Sequence, residues 1–68
     1  MNGHEFLARL RRLGASEGTE VKLVLRQGKG SHARLYFGER FTTLKDRRKE
    51  IGPGLLRKML RDLGVDEL

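Results

Sequence analysis

One short segment of the chain, residues 26–34, combines two glycines with cationic side chains and an imidazole at a predicted turn. Its two glycines let the backbone turn sharply and present N–H groups to an approaching phosphate. Lys29 adds a point charge, and Arg34 adds a forked hydrogen-bond donor beside it. His32 leaves the turn at the start of a predicted strand, and an imidazole exchanges protons near neutral pH. These residue types together suit the binding and cleavage of a phosphodiester.

Cleavage of an RNA strand is the reaction that needs this set of groups. A base takes the proton from a 2′-hydroxyl, the oxygen attacks the adjacent phosphorus, and cations stabilise the developing charge. His32 is the candidate catalytic residue, either as that base or as the acid toward the leaving oxygen. One imidazole cannot fill both roles in one concerted step, so Lys29, Ser31, Tyr36 or bound water must assist. With Tyr36 also able to stack on a base, the candidate RNA-binding residues are Arg26, Lys29, Gly30, Ser31, Arg34 and Tyr36.

Metal sites and nucleotide-binding loops are not expected in this sequence. The glycines of residues 28–31 lack the spacing of a Walker phosphate loop. His4 and Glu5 begin like a zinc-protease helix, but Ala8 stands where the second metal ligand would be needed. The chain has no cysteine and only two histidines, so no metal and no cofactor is expected. Attack by the 2′-hydroxyl needs neither and is favoured, although a surface histidine without a catalytic role remains the alternative for His32.

The overall charge points to a polyanionic partner. Fifteen Lys and Arg face nine Asp and Glu, which gives a net charge of +6 on 68 residues and a pI near 10.5. RNA attracts such a chain through counterion release, and an acidic protein fits the same charge equally well. This length allows one domain. No apolar run reaches the ~20 residues of a membrane span, and no signal-peptide pattern is present, so a cytoplasmic protein without membrane contact is expected.

Two amphipathic helices are predicted, one near each end of the chain. Asn2 and Glu5 have the spacing of a capping box, and Gly14 stands where the first helix should end, before a polar loop over residues 15–19. The second helix opens at residues 52–54 and ends at Gly64. The apolar stripes contain Phe6, Leu7, Leu10 and Leu13 in the first helix and Leu55, Leu56, Met59, Leu60 and Leu63 in the second.

Three strands are predicted between the helices, over residues 20–26, 32–37 and 40–44. Short turns, such as Gly38-Glu39, make the sheet antiparallel, and both helices must cover its one apolar face. The fold class is therefore α+β, in the order α-β-β-β-α. The predicted core contains Leu10, Leu35, Phe37, Leu56 and Leu60, and the open face carries Lys22, Arg26, His32, Arg34 and Tyr36.

Two motifs and their order carry a resemblance to a known family. The triplet Gly30-Ser31-His32 lies in the basic hairpin, and residues 54–64 of the closing helix read G-x-L-x-x-x-L-x-x-x-G. Over nearly its whole length the chain resembles the HicA toxins of bacterial and archaeal toxin–antitoxin pairs. The resemblance implies a fold like that of double-stranded-RNA-binding domains, ribosome-independent cleavage of mRNA with His32 as the catalytic residue, and a HicB-type antitoxin that holds the toxin inactive.

One stretch departs from that family. Its members often carry a proline and a second histidine after the third strand, whereas residues 44–49 contain neither. A mechanism with a second histidine is therefore not expected. Two other functions remain open: a non-catalytic RNA-binding module that reads shape and 2′-hydroxyls, and a protein-interaction module that recognises an acidic partner. RNA cleavage separates the toxin from both, and salt-sensitive RNA binding separates the two modules.

Overall fold

The computed structural model describes residues 1–25 and 32–68 of the chain. A helix, three antiparallel strands and a second helix follow one another, which confirms the predicted α+β order. The predicted end of the first strand at Arg26 lies outside the described residues. The elements are α1 (Gly3–Glu17), β1 (Val21–Leu25), β2 (Ala33–Phe37), β3 (Arg40–Leu44) and α2 (Pro53–Leu63).

The start of α1 follows the predicted capping box. The Asn2 side chain accepts a hydrogen bond of 2.9 Å from the backbone N–H of Glu5, and the Glu5 carboxylate accepts one of 3.1 Å from the backbone N–H of Asn2. These two bonds satisfy N–H groups that have no partner within the helix. The sequence therefore determines where α1 begins.

The predicted end of α1 at Gly14 is wrong. The helix continues to Glu17, so the predicted loop over residues 15–19 is helical in its first three positions, and Gly18 forms the left-handed cap with φ of 68°. Gly14 is needed for another reason. A Cβ atom there would lie 2.6 Å from the carbonyl oxygen of Thr19 and 2.7 Å from a methyl group of Val21. This glycine allows the chain to pass closely over the helix.

The sheet has the strand order β1-β2-β3, with β2 in the centre. Leu35 pairs with Leu23 on one side and with Thr42 on the other. Alternation along β2 is clear, because Ala33, Leu35 and Phe37 are all buried, as predicted. The central strand therefore has one face in the core and one face turned away from both helices.

Both helices pack on that one face of the sheet, as predicted. Phe6 and Leu10 from α1 and Met59 and Leu63 from α2 are almost completely buried. The prediction of Leu56 and Leu60 as core residues is right only in part, because both are half-buried at its margin. The core contains Phe6, Leu10, Leu35, Phe37, Leu44, Ile51, Met59, Leu63 and Val65.

The C-terminal end of α2 is joined to β3 by polar contacts. The Arg40 guanidinium donates bonds of 2.9 Å to the carbonyl oxygens of Arg61 and Asp62, where a cation also complements the helix dipole. The Asp62 carboxylate accepts bonds of 2.9 Å from the Lys58 ammonium and from the Thr42 hydroxyl. These bonds, the Lys58 bond first, lower the pKa of Asp62 below its ordinary value.

The connection between β3 and α2 is held against the start of α1. The backbone N–H of His4 donates to the carbonyl of Arg47 at 3.1 Å, and the backbone N–H of Ile51 donates to the carbonyl of Met1 at 2.9 Å. Asn2 and Glu50 form an isolated antiparallel bridge between the same two segments. The path of the connection is therefore fixed by contacts with residues distant in sequence.

Candidate functional site

His32 lies immediately before β2, at the end of the sheet where β3 leaves toward the connection. The residue after it, Ala33, pairs with Leu44, the last residue of β3. The His32 side chain is exposed rather than covered by a helix, as the predicted assignment of sheet faces requires. An imidazole in this position is accessible to a large substrate.

A cavity of about 320 Å³ lies beside His32, between the end of β3, the connection and the first turns of α2. Its apolar lining comes from Leu44, Ile51, Leu55 and Met59. The lining residues Leu44, Ile51 and Met59 belong to the core, whereas Leu55 is 44% exposed. His32 therefore lies at the boundary between a charged surface and an apolar recess.

The charged residues around this cavity differ in whether they have a partner within the protein. Asp46 accepts hydrogen bonds from the backbone N–H and the guanidinium of Arg48, which lower the pKa of the carboxyl. Glu50 pairs with the N-terminal ammonium group at 2.5 Å. Within residues 1–25 and 32–68, neither Lys45 nor Lys49 pairs with a carboxylate. The two lysines are thus available to an anionic ligand at the rim of the cavity.

The open face of the sheet carries an aromatic pair and a cation. Tyr36 pairs with Phe41 across β2 and β3, and their ring centroids are 5.6 Å apart. The guanidinium carbon of Arg34 lies 4.8 Å from the centroid of the Phe41 ring. Lys22 lies opposite Tyr36 on β1 and adds a second cation to this face. Rings and cations in one surface are the combination that single-stranded nucleic acids bind.

Phe41 is the residue of this face that the sequence interpretation missed. It is 46% exposed, more than any other aromatic side chain among the described residues. The sequence carried a signal for this position, because Phe41 and Leu44 are three residues apart in one strand and therefore lie on opposite faces of the sheet. The structure buries Leu44 and exposes Phe41. We define the open-face cluster as Lys22, Arg34, Tyr36 and Phe41.

The structure brings some of the predicted site residues together. Arg34 and Tyr36 share the open face, and Arg34 is two residues from His32 along the chain. Tyr36 lies four residues from His32, about 13 Å away at the usual rise of a strand, and so suits a neighbouring nucleotide. The predicted RNA-binding residues Arg26, Lys29, Gly30 and Ser31 lie outside the described residues.

In residues 1–25 and 32–68, no three histidine, cysteine or acidic side chains come together as a possible set of metal ligands. Over the same part of the chain, no helix has the length and apolar character required to cross a bilayer.

Comparison with known proteins assigns a family. The model of one family, described as "HicA toxin of bacterial toxin-antitoxin", matches residues 3–65. No curated protein and no solved structure matches the chain. The family match extends from the first residue of α1 to the residue after the cap of α2, and therefore includes every element of the fold.

Proposed function

Since the chain belongs to the HicA toxin family of bacterial toxin–antitoxin systems, we propose that it is an endoribonuclease that cleaves mRNA. The observation that carries this proposal is the position of His32, which is exposed beside the cavity and close to Lys45 and Lys49. A proton-transfer group and cations that can neutralise a phosphate occur there together. Family membership also implies a cognate antitoxin.

The proposed reaction is attack by a 2′-hydroxyl on the adjacent phosphorus. The His32 imidazole takes the hydroxyl proton, a bond forms between the 2′-oxygen and phosphorus, and the bond from phosphorus to the 5′-oxygen breaks. The products are a 2′,3′-cyclic phosphate and a 5′-hydroxyl. Lys45 and Lys49 stabilise the negative charge that develops on the phosphate oxygens.

A second group must protonate the leaving 5′-oxygen. Among the described residues, Lys45 and Lys49 line the same cavity as His32 and carry protons that they can donate. Asp46 is less suitable, because its hydrogen bonds with Arg48 lower its pKa and keep it ionised. Lys29, Ser31, Tyr36 and bound water remain candidates from the sequence.

RNA binding is proposed to extend from His32 over the open-face cluster. Arg34 contacts phosphate, and Tyr36 and Phe41 offer ring surface to unpaired bases. Arg26, Lys29, Gly30 and Ser31 complete the proposed phosphate-binding segment. Single-stranded RNA suits this arrangement because its bases can leave the stack and lie on protein rings.

A HicB-type antitoxin is the proposed inhibitor. Carboxylates of such a partner would pair with Lys29 and Arg34 and cover the surface that RNA otherwise reaches. Binding only to the folded toxin also raises its apparent stability.

The test compares wild-type protein with His32→Ala on one RNA and on the same RNA with a 2′-deoxy sugar at the cleavage site, with chelator present. We expect the wild type to cut only the RNA site and the variant to cut that site about 10²- to 10⁴-fold more slowly. Cleavage of the deoxy site, or cleavage by folded His32→Ala at the wild-type rate, would contradict the mechanism. Salt-sensitive binding without any cleavage by the wild type would identify a non-catalytic RNA-binding module instead.

A further inference from the structure

We propose that the cavity beside His32 binds one nucleobase of the RNA, next to the scissile phosphate, and that it selects this base by size. The inference rests on the proposed cleavage of RNA and concerns the same site. It assigns a role to Leu55 and to the apolar lining, which the mechanism of proton transfer does not use.

The size of the cavity suits a single flat group. Its volume of about 320 Å³ is near the lower limit for small-molecule sites, so it holds a base and not an extended chain. Leu44 and Met59 are almost completely buried beneath it, and Leu55 forms an accessible wall. An adaptable thioether such as that of Met59 also makes favourable contacts with aromatic rings.

The charge distribution favours a nucleotide over an acidic side chain. Lys45 and Lys49 are at the rim, where they can meet the phosphates on either side of an inserted base. The floor of the cavity is apolar, and the carboxylates of Asp46 and Glu50 in its lining already pair with Arg48 and the N-terminal ammonium group. A further carboxylate that entered would therefore lose its hydration without a free cationic partner inside the cavity. A neutral aromatic base between two phosphates matches both parts of the site.

The chemistry of the lining predicts discrimination by size. The four apolar lining residues, Leu44, Ile51, Leu55 and Met59, have side chains that form no strong hydrogen bonds with a base edge, so this part of the lining selects by shape, in contrast to Thr43, Asp46 and Glu50. An apolar pocket distinguishes ligands mainly by volume, with factors of about 10 to 200 for small differences. The site is therefore expected to distinguish purines from pyrimidines more strongly than it distinguishes the two purines from each other.

The experiment uses two independent changes: a substitution that fills the cavity in the protein, and an abasic nucleotide that removes one base from the RNA. Leu55→Trp places a large ring at an exposed position of the cavity wall in α2, and Ala15→Trp places the same ring at an exposed position near the C-terminal end of α1, outside the cavity lining. Each protein cleaves a set of RNAs with one abasic nucleotide, moved through three positions on each side of the cleavage site. The measured quantity is kcat/KM relative to the intact RNA.

For the wild type and Ala15→Trp, we expect one abasic position next to the cleavage site to lower kcat/KM about 10-fold. For Leu55→Trp, we expect a similar loss on intact RNA and no additional loss on the abasic RNA. Leu55→Ala, which enlarges the cavity, should shift the preference toward the larger bases. It provides the test if the Trp variant does not fold.

Several results would overturn the inference. One is that no abasic position affects the wild type, and another is that Leu55→Trp remains as sensitive to the abasic position as the wild type. A third is that Leu55→Trp cleaves RNA normally but escapes inhibition by the antitoxin, since the cavity would then hold an antitoxin side chain. In all three cases, loss of RNA cleavage in His32→Ala would still support the proposed endoribonuclease function.

Discussion

The guanidinium carbon of Arg34 on β2 lies 4.8 Å from the centroid of the Phe41 ring on β3. The same ring is paired with Tyr36 on its strand partner. A cation and two rings are thus held together on the one sheet face that neither helix covers. A cation and the face of an aromatic ring attract each other electrostatically, and a base can add to such a group by stacking.

The first prediction concerns Phe41→Ala. Stacking of a base on an aromatic side chain contributes about 1–3 kcal/mol, so the dissociation constant for single-stranded RNA should rise about 5- to 150-fold. Fluorescence anisotropy with a labelled RNA measures the change. Val24→Ala on the same face is the control, because it removes exposed apolar surface but no ring.

The salt dependence of RNA binding distinguishes the contribution of the Phe41 ring from that of the Arg34 charge. Phe41→Ala should leave the slope of affinity against salt concentration unchanged, whereas Arg34→Ala should reduce it by about one phosphate contact. If Phe41→Ala binds RNA as well as the wild type and loses only antitoxin binding, the open-face cluster is a protein interface.

The second prediction concerns the size of the His32 effect. General acid–base catalysis contributes about 10²- to 10⁴-fold, so His32→Ala should lower the single-turnover cleavage rate by that factor. RNA affinity should change little, because phosphate contacts of Lys and Arg dominate it. His4→Ala is the matched control, since His4 is the other histidine of the chain and is exposed on α1. Equal losses in the two variants would argue against a specific role of His32.

The third prediction concerns two glycines in helices. Gly14→Ala should destabilise the protein by about 1–3 kcal/mol, because the added methyl group overlaps Thr19 and Val21. Gly54→Ala in α2 is the control, since its Cβ would meet nothing within 4 Å. It should be neutral or stabilise the fold by up to about 1 kcal/mol. Thermal or urea unfolding measures both, and a stabilised Gly14→Ala would contradict the close approach seen here.

The fourth prediction concerns stability in acid. Hydrogen bonds from Lys58 and Thr42 lower the pKa of Asp62 below its ordinary value of 3.8. The stabilising contribution of the carboxylate is therefore complete above pH 3.8 and is lost as the pH falls through the folded-state pKa. Asp62→Asn should unfold less steeply with falling pH in this range than the wild type. Lys58→Met, which removes the largest cause of the shift, should also reduce the acid sensitivity, whereas identical pH profiles for all three proteins would contradict the assignment.

The fifth prediction concerns the antitoxin. At a partner concentration about 100 times the dissociation constant, binding should stabilise the toxin by about 2.7 kcal/mol, which raises Tm by roughly 10 °C or more for a domain of this size. Hydrogen exchange should show protection in the peptide that contains His32 and Arg34. Stabilisation without protection of that peptide would indicate inhibition from another surface.

The fold could be predicted from the sequence where local patterns and tertiary packing agree. In β2, alternation alone placed Ala33, Leu35 and Phe37 in the core. At the end of α1, the local sequence pattern and the tertiary packing disagree. Gly14 has the sequence signature of a helix terminator, but its function is to let the chain at Thr19 approach, and only the folded structure contains that contact.

The site was predictable only in part for the same reason. His32, Arg34 and Tyr36 follow from spacing along one strand, because strand geometry is local. The cavity depends on the path of the connection, which is determined by two backbone hydrogen bonds, from the N–H of His4 to the carbonyl of Arg47 and from the N–H of Ile51 to the carbonyl of Met1. No local rule predicts such contacts, so the sequence identifies Leu55 only as one member of the apolar stripe of α2.

The two ends of helix α2 differ in the number of side-chain hydrogen bonds that hold them. Arg40 and Thr42 hold its last turn to β3, whereas Gly52 at its start provides no side-chain cap. Local unfolding begins where the fewest bonds must break. The first turn of α2, which carries the wall of the cavity at Leu55, can therefore fray and re-form while the last turn stays attached. If a base enters this cavity as proposed, opening of this first turn would widen the cavity while the last turn of α2 stays bound to β3.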